Sequence, residues 1–589
     1  MIGVIPQADQ MTIVEEFFQL FKTPWEIYRH GRAYDVVVAT ADGVPEVDAR
    51  LRIVYGPEIK SSDARDGVAA RSKHRGGFLR YRGIQVPIYG ELATFEGGGA
   101  GIPCVTGSSG TAGLTIGPAD STVIRLGYDL FQEVHFLLSV GQPVEQAHIP
   151  TLDIHILMLR AWLVKAGITF LEIPPAPAGR SFMVCLTHDI DFAGIRNQRF
   201  DHSLFGFLYR STVGAIGKFF RRRISLRRLC QMWRAAASLP FVYLGWAKDF
   251  WDPFEWYLRV EKNLPATYFL IPFKRRRGDR VSTPHASRRA TGYDIADLPE
   301  WTATLMKEGC ELGVHGIDAW HSVEKGRDEL ARIASVTGES KIGIRIHWLL
   351  RGEDTLSVLE EAGYAYDSSV GYNETIGYRS GTAQTFRPVG ATALLELPLH
   401  IQDGALFFPR RLDLSEPEAW IRCRALIDHV TECGGALTVL WHDRSHGPER
   451  FWGDFYLRLV QELKSLDGWF GTAGQVVDWF RKRREVRFDV IEGEDGTART
   501  RLRYQGDEIH PPLNIRIHRP CAGRDEEERH GDTTAEFVDI DWTGESVVEP
   551  DELFRRISAA SPTMPRSDRS MEASVHFWHQ KGQSACSLR

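Results

Sequence analysis

Several short segments carry ionisable side chains at spacings suited to metal-assisted hydrolysis. One is His188-Asp189-Ile190-Asp191, whose two carboxylates alternate along an extended backbone. A second is HGIDAWHS, which supplies His315, Asp318 and His321; further on stand Arg345, His347 and Trp348, then Asp403, then Trp441-His442-Asp443-Arg444. One carboxylate and two imidazoles suffice to hold Zn²⁺ or a similar divalent ion with positions left for water, and Asp191, His315 and His321 can supply them. Of Asp189 and Asp191, one carboxylate can bind the ion while the other faces the water and takes its proton. His442 can protonate a leaving group, and Arg345 can orient the base Asp through a bidentate pair. Taken singly each signal is weak. Asp-x-Asp usually serves as a cap or turn, and a lone His at a strand end is usually structural. His315 and His321 are six residues apart, so they need a strand-to-loop turn between them to share a site.

What raises the signal is where these residues fall relative to the predicted strands. Short apolar runs, MVCLT at 183–187, ATYFL at 266–270, 311–315, 342–346, 394–399 and 437–441, alternate with amphipathic helical segments. Asp297 can cap a helix that has Pro299 in its first turn and Gly309 at its end. Further helices are predicted over 326–337, 354–362 (stopped by Gly363), 417–433, 453–466 and 474–483. Strands alternating with helices imply parallel strands and right-handed crossovers. At this length a β/α barrel follows, with catalytic groups at the C-terminal strand ends, where these residues lie.

The chain has 589 residues, so several units are expected. Residues 1–175 read as an α/β domain with strands at 34–39 and 51–55, helices at 129–140 and 154–165, and a Gly-rich loop over 97–113. Residues 176–484 are the barrel, with a helical insertion at 193–260. Residues 485–545 alternate apolar and polar as a small β unit, and 546–589 read as a disordered tail. Net charge is −6, which excludes a general nucleic-acid binder. No apolar stretch reaches membrane-spanning length, no signal peptide is evident, and eight Cys without framework spacing suit a reducing compartment. A cytoplasmic protein is expected, peripheral to the inner membrane if the basic amphipathic segment 208–229 touches a lipid surface.

The motifs resemble those of the polysaccharide deacetylase family, the NodB-homology domain of carbohydrate esterase family 4. Thr187-His188-Asp189-Ile190-Asp191 looks like its first motif in an Asp-x-Asp form. His315 and His321 look like the histidines of its second, with Asp318 or water as a substitute for His321. Arg345 falls where the third motif has its Arg, although His347 stands where Pro is usual. Asp403 resembles the fourth motif and LTVLWH the fifth. The resemblance covers about 182–483. It implies a distorted (β/α)7-type barrel, with Asp189 as base, Asp191 as metal ligand, Arg345 bracing the base and His442 as acid.

The resemblance implies a bacterial hydrolase of non-peptide C–N bonds that deacetylates a carbohydrate, in particular a surface-glycan precursor. Its ion would be Zn²⁺, or Co²⁺, Mn²⁺ or Ni²⁺. Trp348, Tyr378 and Trp441 are candidates for stacking on a sugar, with core packing as the alternative. The 364–387 loop is the expected seat of specificity. Two other readings are open: a related hydrolase of a non-glycan amide or O-acetyl ester, and a silent glycan-binding module.

Overall fold

The computed structural model describes residues 1–43, 48–81, 83–96, 101–198, 201–222, 224–281, 286–492, 498–520, 535–542, 544 and 546–548. Its core is a curled parallel sheet. The strand Phe182–Ile190 lies at the centre, between Ala266–Leu270 and Ala436–Leu440. All nine of its residues are buried, which is why it reads as a nearly continuous apolar run. From Ala266–Leu270 the sheet continues through Glu311–Gly316, Ile344–Ile346 and Tyr366–Asp367 to Leu395–Glu396. On the other side Ala436–Leu440 pairs with Ile401–Gln402.

Those last two strands belong to one extended segment, which closes the barrel. The amides of Leu397 and Leu399 donate to Asp367 and Val370, whereas the His400 amide donates across to Thr438. The predicted single strand at 394–399 is therefore two short pieces that change partners midway. Counting them as one segment gives seven parallel staves, the distorted (β/α)7-type arrangement, with an eighth short strand, Gly468–Phe470, pairing parallel beside the start of the central one.

The helices mostly follow their sequence signals. Pro299–Lys307, Val323–Thr337, Thr355–Ala362, Glu416–Cys433, Gly453–Ser465 and Ala473–Glu485 are all present. Gly363 adopts φ 98°, the left-handed cap its position requires. One cap differs: Asp297 closes the turn Ile295–Asp297 in a capping box with Asp294, and Leu298 precedes the helix. The insertion folds as four helices, His202–Ser211, Val213–Phe220, Leu226–Tyr243 and Phe254–Val260. The amphipathic stretch 208–229 is thus three helical pieces, broken at Thr212 and again where Arg222 takes φ 56°.

Residues 1–175 form a nine-stranded mixed sheet with Met11–Phe21, Leu130–Ser139 and Thr151–Lys165 packed on it. Asp129 caps the second of these helices, accepting from the Phe131 and Gln132 amides. Among the described residues of the Gly-rich segment there is a hairpin, Ile102–Gly107 against Gly110–Ile116, turning at Ser108-Ser109, where a loop was expected. The C-terminal segment divides between two sheets. Leu513–Pro520 and Ala535–Trp542 extend from Phe170–Glu172, while Arg487–Glu492, Ala498–Arg503 and Ser546–Val548 form another. The expected tail beyond Val548 lies outside the described residues.

The 364–387 loop faces the N-terminal unit instead of forming an open specificity loop. The Tyr378 amide donates to Ala147, the Leu152 amide to Gly381, and the Tyr372 hydroxyl to Gln142. Thr382 donates to Asp153, which also pairs with His429 at 3.1 Å.

Candidate metal centre

Three strand ends bring Asp191, His315 and His347 together. Asp191 follows the central strand, His315 ends Glu311–Gly316 but for one residue, and His347 follows Ile344–Ile346. Their donor atoms all lie within 4.8 Å of one another. His315 Nε2 is 3.3 Å and His347 Nε2 3.4 Å from Asp191 Oδ1. The two rings tilt at 32° with centroids 4.7 Å apart.

The expected ligand His321 is not in this cluster. Its Nε2 meets Asp318 Oδ1 at 3.0 Å, in the turn leading to the helix that Ser322 caps. Asp318 is also committed elsewhere, accepting from the Asp279 amide and facing Lys325. The six-residue spacing turns His321 away from the strand end, and His347, from the neighbouring stave, takes the third corner. The sequence does mark it: an imidazole two residues past Arg345, on another strand end.

The donor set fits a divalent cation. Asp191 Oδ1 is buried and has no hydrogen-bond partner. Burial opposes its charge, but the facing His347 and His315 hold its carboxyl well below the usual carboxylate range. Burial drives His347 well below the ordinary histidine value, leaving a neutral imidazole. His315 Nδ1 lies 3.0 Å from the Arg345 carbonyl, which can only accept. Nδ1 therefore carries the proton and Nε2 presents a lone pair toward Asp191. A buried carboxylate oxygen facing imidazole lone pairs is what a Zn²⁺-like ion satisfies.

Asp189 stands on one side of the cluster, with Oδ2 3.9 Å from His315 Nε2. Arg345 braces it, but not in the bidentate manner expected. Nη1 divides between Asp189 Oδ1 (3.1 Å) and Thr187 Oγ1 (2.7 Å), while Nε and Nη2 donate to the Ser368 carbonyl and hydroxyl. The guanidinium is fully buried and lies over the Phe269 ring, 4.5 Å from its centroid.

Asp403 and His442 stand on the other side, after the two strands that meet at the closure. His442 Nδ1 donates to Asp403 Oδ1 at 2.5 Å, and the His442 amide to Oδ2 at 2.9 Å. The Ser445 hydroxyl also donates to Oδ2. Burial alone would lower the His442 pKa; the charges of Asp403, Asp191 and Asp189 outweigh it and push it up to about 9.

A second layer absent from the sequence reading supports this acid. His188 Nδ1 donates to the Trp441 carbonyl at 2.9 Å, and its Nε2 is 2.8 Å from Glu261 Oε1, which also receives the Tyr456 hydroxyl. The Tyr257 hydroxyl donates to the His442 carbonyl at 2.8 Å. Asp443 accepts from the Phe192 and Ala193 amides just past Asp191, and burial with the Asp191 charge raises its pKa to about 6.

Of the proposed sugar-stacking aromatics, Tyr378 and Trp441 are core residues. Tyr378 packs between His400 and His429, and Trp441 stacks on Phe455 at 5.9 Å. Both are fully buried. Trp348 is half-buried beside His347, with φ 67°.

Neither a family model nor a curated protein matches this chain. Solved structures similar to it include two proteins named as polysaccharide deacetylases. One, from Mycobacterium smegmatis, has 19% identity over 53% of this chain and 95% of that one, with a TM-score of 0.32. The other, from Pseudomonas aeruginosa, has 15% identity over 53% and 94%, with a TM-score of 0.31. An allantoinase has 14% identity over 52% and 92%, also with a TM-score of 0.31. At these TM-scores the likeness carries no argument, and the chemistry rests on the side chains above.

Proposed function

We propose that this chain is a metal-dependent hydrolase that removes acetyl groups from a carbohydrate, with N-deacetylation of a surface-glycan precursor as the leading case. The observation that carries it is one rim holding three groups of residues: a two-imidazole, one-carboxylate cluster, a braced carboxylate beside it, and a carboxylate-paired histidine opposite. Asp191, His315 and His347 would hold the ion, with Zn²⁺ the best match to two nitrogens and one oxygen. Such an ion polarises an acyl carbonyl and lets water ionise near neutral pH.

The protein's residues do the rest. Asp189, kept in place by Arg345, accepts the proton of the attacking water. His442 is protonated below about pH 9, and with Nδ1 committed to Asp403 its Nε2 proton is available to the departing amine or alcohol. The half-buried Trp348 offers a ring at the rim on which a sugar face can stack.

The deciding experiment measures bound metal by elemental analysis alongside acetate release from acetylated amino sugars. We expect near-stoichiometric Zn²⁺ that is lost in Asp191→Ala, His315→Ala and His347→Ala but kept in His321→Ala. Acetate release should fail in Asp189→Asn, with metal still bound. A protein that takes up no Zn²⁺, Co²⁺, Mn²⁺ or Ni²⁺ overturns the hydrolase reading. Metal binding with ester or non-glycan amide hydrolysis alone overturns the substrate.

A further inference from the structure

The helical insertion leaves the barrel at Phe192, directly after Asp191, and the proposed chemistry does not use it. Of the 21 large hydrophobic residues exposed among the described residues, ten fall between Phe205 and Trp246. They form stripes. Phe205 and Tyr209 lie four apart on the first helix, as do Ile216 and Phe220 on the second. On the third, Leu226, Trp233 and Phe241 fall within about 80° of one another at 100° per residue. Met232, Leu239 and Val242 occupy the opposite, buried face. Phe220 is 78% exposed and Trp246 74%.

The charge of this segment is equally one-sided. From His202 to Ala247 there are eight Lys and Arg and no Asp or Glu, in a chain whose net charge is −6. On the third helix Arg227 and Arg234 border the apolar stripe. A cavity of about 1020 Å³ opens beside them, lined also by Arg228, Lys248 and Arg259. Its aspartates are already engaged. Asp249 accepts from the Ile195, Arg196 and Trp251 amides, Asp252 from the Phe254 amide, and Asp454 pairs with Arg228 at 3.1 Å. Among the described residues, Arg227 and Arg234 meet no carboxylate.

We propose that this insertion docks the protein on an anionic lipid bilayer, with the exposed aromatic and aliphatic stripes entering the interfacial region and the arginine-lined cavity receiving lipid head groups. Apolar stripes flanked by arginines match the chemistry of a membrane–water interface. A second copy is a poor occupant, because two surfaces of the same high positive charge would repel. The insertion is tied to the catalytic rim through Phe192, Ala193 and Asp443, so docking would hold the metal cluster near the bilayer.

The test is flotation of the purified full-length protein with phosphatidylcholine vesicles, with and without phosphatidylglycerol. We expect binding only when phosphatidylglycerol is present, falling as salt rises. Arg227→Gln and Arg234→Gln should each weaken it roughly fivefold. Phe220→Ser and Trp246→Ser should each weaken it roughly tenfold. Unchanged circular dichroism and metal content would show that these surface variants still fold, whatever becomes of the hydrolase reading. Three results overturn the proposal: no preference for phosphatidylglycerol, full binding by the Phe220→Ser/Trp246→Ser double variant, or self-association that these substitutions disperse.

Discussion

At the scale of single residues, the site divides into a metal side and an acid side that can be perturbed separately. Replacing Asp403 by Asn removes the charge that most raises His442, so its pKa should fall from about 9 toward the ordinary ~6.5. Since the acid must be protonated, the alkaline limb of the pH–rate profile should move down by up to ~2 units while bound metal stays unchanged. The same pair bears on stability. A raised folded-state pKa contributes fully below ~6.5 and is lost as pH rises through about 9, so wild type should lose more stability than Asp403→Asn across that window in denaturant titrations. Glu261 touches none of the reacting groups; it acts through His188 on the Trp441 carbonyl. Glu261→Gln should lower kcat about 10-fold with KM and metal content unchanged, and Glu261→Asp should recover less if reach matters as well as charge. Most of this chemistry is legible in the sequence because strand ends announce it: Asp189, Asp191, His315, Arg345, Asp403 and His442 all converge. His347 is harder to read as a ligand, because the histidine pair within one segment favours His321. Parallel register, which sets His315 opposite Arg345 and so brings His347 alongside, is a long-range fact.

At the scale of elements, helices with capping residues and fully buried strands are readable because their signals are local. Elements whose partners lie far along the chain are not. The hairpin over 102–116 is hidden by glycines that blur its alternation. The stave at 366–367 is too short to show a period, and the run at 394–399 gives no sign that its strand changes partners midway. The 364–387 loop looks free in sequence yet packs against the N-terminal unit, and Gly377 shows how closely. Its φ is +141°, and a Cβ there would lie 2.0 Å from the Ala147 carbonyl oxygen. Gly377→Ala must open that contact and should cost about 1–3 kcal/mol, read as a lower denaturant midpoint.

At the scale of the whole molecule, the barrel and the N-terminal unit share buried polar groups. The fully buried Arg483 donates to the carbonyls of Gln19, Leu20 and Ile173, joining the last barrel helix to the first helix of the chain. Arg483→Met leaves those carbonyls without a partner and should destabilise by about 3–5 kcal/mol in chemical denaturation, with both units unfolding together in wild type. Among the described residues no helix is long and apolar enough to cross a membrane. Length suggests several units but says nothing of this shared interior, because Arg483 in sequence is one cation among several at a helix end.

The closing segment of the barrel sets a limit on rigidity. A stave that spends half its length on one neighbour and half on the other has only two-residue ladders to each. Its amides should exchange with solvent faster than those of the central strand, through openings that leave most of the fold intact. Asp403 ends that segment, and His442 leans on Asp403. The carboxylate that charges the proton donor is thus mounted on a stave with short ladders, whereas Asp191 and His442 themselves follow the central strand and its five-residue neighbour.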